Sequence, residues 1–330
     1  MSAPRLKTSA MIASIAAEGQ RTLSAPFGHA LAKAAETRPE IVGMTADLGK
    51  YTDLHIFQQA HPDRFYQMGM AEQLLMMSAA GMAREGFHPF VTTYAVFAAR
   101  RAYDFLCLAI AEEDLNVKVV CALPGLTTGY GPSHQATEDL AIFRGMPNLT
   151  IIDPCDAVEI EQATAALADH RGPAYMRLLR GKVPAVLDDY GYKFEMGKAK
   201  TIRDGADVLI IASGLMTMRA LETADALKAD KIEAGVLHVP TIKPLDEATI
   251  IAAVNAKPGR LVVVAENHSV IGGLGEGVAA ALLRAGVFAP FRQVALPDAF
   301  LDAGALPTLH DRYGISTKAI TTSIKGWLSE

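Results

Sequence analysis

Residues 69–101 read GMAEQLLMMSAAGMAREGFHPFVTTYAVFAARR. They begin as an apolar helical run with Glu72 at its head, turn at Glu85 and Gly86, and enter a β-rich run over 87–93. That run leads to Tyr94, Phe97 and the basic pair Arg100 and Arg101. Val91, Thr92 and Thr93 belong to the residue types that fill a pleated strand. This order sets one buried acid against an aromatic shelf. A second polar stretch, GYGPSHQATED over 129–139, adds His134.

The same alternation continues on either side. Upstream, 24–34 reads as a helix with Pro26 in its first turn, 40–45 as a buried strand, 47–53 as a polar loop at its carboxyl end, and 65–68 as a short strand. Downstream, strands are expected over 117–123, 150–153 and 174–178, and helices over 100–112 and 156–168. The last helix opens on Asp156 as cap with Glu159 three residues on. Strands alternating with helices of this length predict a parallel sheet covered on both faces. The run 183–196, VPAVLDDYGYKFEM, is turn-rich and polar. It sets a linker over 187–196 between a first domain, 21–186, and a second, 197–330, with strands over 208–213, 234–239, 260–266 and 292–296. The fold class is therefore α/β: two three-layer α/β domains, the first built on a mainly parallel sheet. Residues 1–20 contain Arg5 and Lys7 and no acid before Glu18. A transit-like leader and a helical N-terminal arm both fit this stretch, and it is taken as an arm.

Composition narrows the function. The 330 residues suffice for two hydrophobic cores. A formal charge of −5 and a pI near 6.0 give no basic footprint for nucleic acid or an acidic membrane surface. No apolar run reaches the roughly 18 residues of a membrane span. Small molecules and protein partners are expected. Cys107, Cys121 and Cys155 form no CxxC pair and read as buried thiols of a reducing compartment, the cytoplasm. The run IGGLGEG over 271–277 has GxGxG spacing, which suits a glycine-rich helix entry packed close to a neighbour rather than a dinucleotide fingerprint.

On spacing alone Glu72 has two readings. It is a helix-start glutamate facing the helix dipole, or a carboxyl that Met70, Leu74, Leu75 and Met76 encourage to hold its proton. His134 is a lone loop histidine, and Tyr94 and Phe97 are core aromatics by default. His238, His310 and the run Glu266-Asn267-His268 read as satisfied histidines without a catalytic part.

The segments taken together resemble the transketolase family. GMAEQ is followed in the family's order by Pro89-Phe90, Tyr94-Ala-Val-Phe97, Arg101-Ala-Tyr103-Asp104, Asn116-Val-Lys118, Gly131-Pro-Ser-His134-Gln135, Glu138-Asp139-Leu140-Ala141, Arg144-Gly-Met-Pro147-Asn148 and Gly172-Pro173-Ala-Tyr175-Met-Arg177-Leu178. The chain is similar to the C-terminal subunit of a split transketolase, with a pyrimidine-binding domain and a transketolase C-terminal domain. The family's Gly-Asp-Gly motif, which holds magnesium and diphosphate, occurs nowhere in the 330 residues.

The resemblance implies thiamine diphosphate and magnesium as cofactors and a partner N-terminal subunit carrying the missing motif. It also implies a homodimer of this chain within an α2β2 assembly, and ketol transfer between sugars. Glu72 would hydrogen-bond the cofactor's pyrimidine, with Tyr94 and Phe97 stacked on that ring and Arg100 at its edge. His134 would contact the donor ketose. Arg21 and Arg180 match positions that meet the substrate's anionic end, where a guanidinium fork suits phosphate or sulfonate. The sequence departs from the family at Tyr130, which stands where an Asp contacts the donor, at Leu123 in place of a His, and at Tyr51 in place of a Ser. Rival readings are the beta subunit of a two-oxoacid dehydrogenase, expected to carry a His-Ser motif rather than GPSHQ, and half of a deoxyxylulose phosphate synthase. A third is a non-catalytic assembly or regulatory partner.

Overall fold

The computed structural model describes residues 15–16 and 19–330, so the arm expected over 1–20 falls almost wholly outside the described residues. The strand within the opening stretch, His88–Tyr94, is buried along its whole length. It lies between Ile41–Thr45 and Lys118–Ala122, parallel to both. Strands buried on both faces are the mark of a sheet sandwiched by helices.

That sheet has seven strands, ordered Thr241–Lys243, Thr150–Ile152, Ala174–Leu178, Lys118–Ala122, His88–Tyr94, Ile41–Thr45 and Phe65–Gln67. All neighbours are parallel except the first pair. That edge strand, Thr241–Lys243, comes from the second half of the chain. A second sheet orders Phe291–Leu296, Leu261–Ser269, Val208–Ala212, Ala234–His238 and Lys200–Arg203, parallel but for the last. Strand positions agree with the periodicity to within about three residues.

One helix departs from expectation. The run predicted over 100–112 begins at Ala95 as Ala95–Arg101, breaks at Ala102 with φ −110° and ψ 9°, and resumes as Tyr103–Leu106 and a π-type turn, Cys107–Ala111. Alanine-rich Ala95-Val-Phe-Ala-Ala enters the helix directly from the strand, because alanine carries the smallest penalty for helix. Phe97 and Arg101 therefore stand four residues apart on one helix.

The halves are joined by buried polar groups. Arg177 Nη2 and Nε donate to Asp139 at 2.6 and 2.8 Å, Nη1 to Asp153 Oδ2 at 3.3 Å, and Nη2 to the Asn267 carbonyl at 3.2 Å. Asp156 caps its helix as expected, accepting the Glu159 amide at 2.9 Å. The Glu159 carboxylate reaches the Cys155 amide at 2.6 Å rather than that of Asp156, and also receives Tyr192 and His238 from beyond the first domain. The run at 271–277 is a close-packed helix entry: a Cβ added at Gly275 would lie 2.3 Å from Gln293 Nε2. Cys121 and Cys155 are buried, and burial pushes both thiols up. No helix of the described residues is long and apolar enough to cross a membrane.

Candidate active site

Ligands of open α/β sheets bind beyond the carboxyl ends of the strands. Five such ends deliver the candidate residues here. Tyr51 follows Ile41–Thr45, Glu72 follows Phe65–Gln67, and Tyr94 closes its own strand. Tyr130 and His134 follow Lys118–Ala122, and Arg180 follows Ala174–Leu178. Four non-glycine residues at or beside these strand ends hold left-handed backbone: Ala25 with φ 48°, Asp47 with φ 57°, Asp53 with φ 60° and Leu123 with φ 60°. Such residues cost of order 1–3 kcal/mol each and gather at functional sites. Two of them clasp Gly181, next to Arg180: the Ala25 amide donates to its carbonyl at 2.7 Å, and its own amide donates to Asp53 Oδ2 at 2.7 Å.

Glu72 is the first residue of helix Glu72–Arg84 and is 2% exposed. This is a buried position rather than a solvated helix start. Arg101 Nη1 donates to Glu72 Oε1 at 3.2 Å, and the same guanidinium lies over the Phe97 ring, 3.9 Å from its centroid. Phe97 and Tyr94 are tilted against each other at 5.6 Å. His134 meets both edge-on, at 5.4 Å from Phe97 and 5.9 Å from Tyr94, and Tyr130 meets His134 at 5.5 Å. Ser133 Oγ lies 2.9 Å from His134 Nδ1, so that nitrogen already has a partner within the loop. Partial burial and the Arg101 charge lower the His134 pKa, so the ring is neutral near pH 7.

Arg180 is 7% exposed, and its Nε and Nη1 have no hydrogen-bond partner among the described residues. Its guanidinium lies 5.5 Å from the Tyr94 ring centroid and 5.9 Å from that of Tyr51. Burial lowers its pKa, against opposing pulls from Tyr94 and Asp53.

Two sequence-predicted residues lie apart. Arg100 is paired with Glu138 and donates to the Pro132 carbonyl at 3.0 Å, so it braces the loop after Lys118–Ala122 instead of the Glu72 shelf. The arginine at the shelf is Arg101, and its spacing of four from Phe97 is the signal that could have found it. Arg21 pairs with Asp188 and donates to the Ala185 carbonyl at 3.2 Å. It extends the ribbon in which Thr22–Ser24 pairs with Lys182–Pro184, at the opposite end from Gly181. The structure therefore separates Arg21 from Arg180. Local charge decides this, because Asp188 supplies the nearer anion.

The chemistry of this set, a buried carboxylate beside an aromatic face, suits a flat, nitrogen-rich ring. Arg101 touches both, bonded to Glu72 and lying over the Phe97 ring. Among the described residues no cluster of three or more His, Cys, Asp or Glu could hold a metal ion.

These features define a class of two-domain α/β chains with candidate site residues gathered at the carboxyl ends of one mainly parallel sheet. Residues 20–185 match the transketolase pyrimidine binding domain, and 197–320 match the transketolase C-terminal domain. The chain belongs to the transketolase family and corresponds to its C-terminal section. It is 75% identical over 328 residues to a putative uncharacterized transketolase family protein of Sinorhizobium fredii, covering 99% of this chain and 95% of that one. A 6-deoxy-6-sulfo-D-fructose transketolase subunit of a Clostridium species is 38% identical over 288 residues, covering 87% of this chain and 88% of that one. Among solved structures, a split gene transketolase in an inactive β4 tetramer superposes with a TM-score of 0.84 at 37% identity, covering 92% of this chain and 97% of that one.

Proposed function

We propose that the chain is the C-terminal subunit of a two-chain transketolase, moving a two-carbon ketol unit from a ketose with an anionic end to an aldose. The observation that carries this reading is the buried Glu72 carboxylate opening onto the Tyr94–Phe97–His134 cluster. When bound, thiamine diphosphate supplies a nucleophilic carbon and an electron sink for the two-carbon fragment.

The chain's own residues prepare that chemistry. Glu72 Oε1, which now accepts from Arg101, would accept the N–H of the pyrimidine and share its proton. Phe97 and Tyr94 would take the ring by offset contacts worth about 0.5–1.5 kcal/mol beyond burial. His134 Nε2 would hold a donor hydroxyl, with Tyr130 lining the same wall. Arg180 would meet the anion, phosphate or sulfonate, and Tyr51 would wall it. The similarity to a sulfosugar transketolase subunit supports keeping sulfonate in this class. Arg100 and Arg21 join the site only by resemblance.

The diphosphate and magnesium fall to a partner bearing the Gly-Asp-Gly motif absent here. Met70, Leu74 and Met77 leave an exposed apolar strip beside Glu72, at 82%, 51% and 48% exposure, which supports a protein surface over the shelf. An α2β2 assembly in the cytoplasm completes this reading.

The test mixes the chain with that partner, thiamine diphosphate, magnesium and a panel of ketoses and aldoses. Aldose-dependent turnover is expected, with Glu72→Ala slowing it by about 10²-fold or more. A loss of only a few-fold would remove Glu72 from this role. Calorimetry showing no cofactor bound with the partner present would favour an assembly subunit instead.

A further inference from the structure

The loop that carries Tyr130 and His134, residues 123–138, contains no helix or strand of its own. Much of its shape is set from the second domain. The Leu126 amide donates to Asn267 Oδ1 at 2.8 Å, and the Leu126 carbonyl lies 2.8 Å from His310 Nε2, which must carry the proton to donate there. Three residues on, the Gly304 amide donates to the Gly129 carbonyl at 3.0 Å. Past His134, Gln135 Nε2 donates to the Asp302 carbonyl at 3.1 Å. Asn267 and His310 are each 3% exposed, so these are dry contacts.

The approach is close enough to dictate glycine. A Cβ at Gly129 would stand 2.0 Å from the Gly304 carbonyl oxygen, and one at Gly125 2.1 Å from the Asn267 carbonyl oxygen. Tyr130 and His134 thus hang between points fixed by the second domain. Unmade buried hydrogen bonds cost more than made ones gain, so these contacts favour the placement the loop has.

We propose that the C-terminal domain positions the donor-reading loop, with Asn267, His310 and Gly304 setting where Tyr130 and His134 stand and hence how tightly the donor binds. The kinetic part rests on the ketol transfer read above, and the placement part stands without it. None of the three touches a reacting atom; they act through the loop.

The test uses His310→Leu, the donor-preserving His310→Gln, and Gly129→Ala as an independent disruption from the loop side. In the chain alone, hydrogen exchange of peptides spanning 124–136 is expected to quicken about tenfold in His310→Leu and Gly129→Ala, the worth of one to two buried hydrogen bonds. Peptides from strand Ala174–Leu178 should keep their protection, and His310→Gln should stay near wild type. In the two-chain enzyme the same variants should raise the donor KM about tenfold with kcat held within about threefold and cofactor affinity by calorimetry unchanged. Folded variants with wild-type loop exchange would overturn the placement. Quickened exchange with an unchanged donor KM would overturn the link to donor binding. If the wild-type pair transfers no ketol unit, the proposed activity fails, and the exchange data still decide the placement.

Discussion

Two buried arginines lie three residues apart, one on and one just beyond strand Ala174–Leu178, and they live in opposite surroundings. Arg177, 2% exposed on its side chain, is bonded to two carboxylates and a carbonyl. Burial works against its charge, yet Asp139 and Asp153 hold its pKa above the usual value. Arg180 is nearly as buried and faces tyrosine rings, with two of its nitrogens lacking partners. A buried guanidinium that forms no ion pair and leaves nitrogens unbonded is costly to keep, even with Asp53 pulling on its charge. The contrast separates a network satisfied within the chain, with Asn267 as its contact across the halves, from a guanidinium left partly unsatisfied among the described residues.

The largest test of that contrast is Arg177→Met. It strands Asp139 and Asp153 in the interior, and breaking such a pair costs about 3–5 kcal/mol. Urea unfolding of the chain should show that loss, and adding Asp139→Asn and Asp153→Asn should recover much of it. A single variant as stable as wild type would mean that the joint is not held by this network.

Arg180→Met should do the reverse. Removing a buried guanidinium that forms no ion pair and leaves two nitrogens unbonded among the described residues should leave the urea midpoint unchanged or higher. The donor's kcat/KM in the two-chain enzyme should fall about 10- to 100-fold, because hydrogen bonds to charged groups are worth about 1.5–3 kcal/mol. A variant that unfolds easily while binding its donor normally would exchange the roles given to the two arginines.

The same contrast marks what could be read from the sequence. Glu72, Tyr94, His134 and Arg180 each sit at or after a strand of an expected parallel sheet, so alternation alone brings them to one edge. The neighbours of each side chain were harder to foresee. Arg100 and Arg101 are adjacent in sequence, and the choice between them depends on where the helix begins, which Ala95 sets five residues earlier than expected. Arg21 was paired with Arg180 by resemblance, and Asp188, in the expected linker, holds it instead. The Leu126 contacts span 141 and 184 residues of chain and leave no local pattern. Strand Thr241–Lys243 crosses into the first sheet for the same kind of reason: its partner lies about ninety residues upstream, beyond any window of periodicity.

The smallest effect concerns His268, which belongs to the Arg177 side. Its Nε2 accepts the Ala141 amide at 3.2 Å and its Nδ1 lies 2.9 Å from the Ser269 carbonyl, so both nitrogens are committed to one neutral tautomer. Burial first, and Arg177 after it, bring its pKa to about 4, against an opposing pull from Asp139. Unfolded histidine titrates near 6.5. Below that pH the unfolded chain takes a proton that the native chain refuses, so this contribution to stability is lost as pH falls from 6.5 towards 4. Glu266 opposes it. Burial raises that carboxyl to about 7, so acidification protonates the native state first and adds stability over the same range. The wild-type slope mixes the two, and the difference from His268→Gln isolates one. Relative to wild type, His268→Gln should gain about 1 kcal/mol between about pH 7 and pH 5.5 by urea unfolding. Donor KM at pH 7 should stay unchanged, because this histidine serves the joint and His134 serves the site. A constant difference across that range would show that His268 is accessible to protons in the native state, and the Arg177 side would then be less closed than its bonds imply.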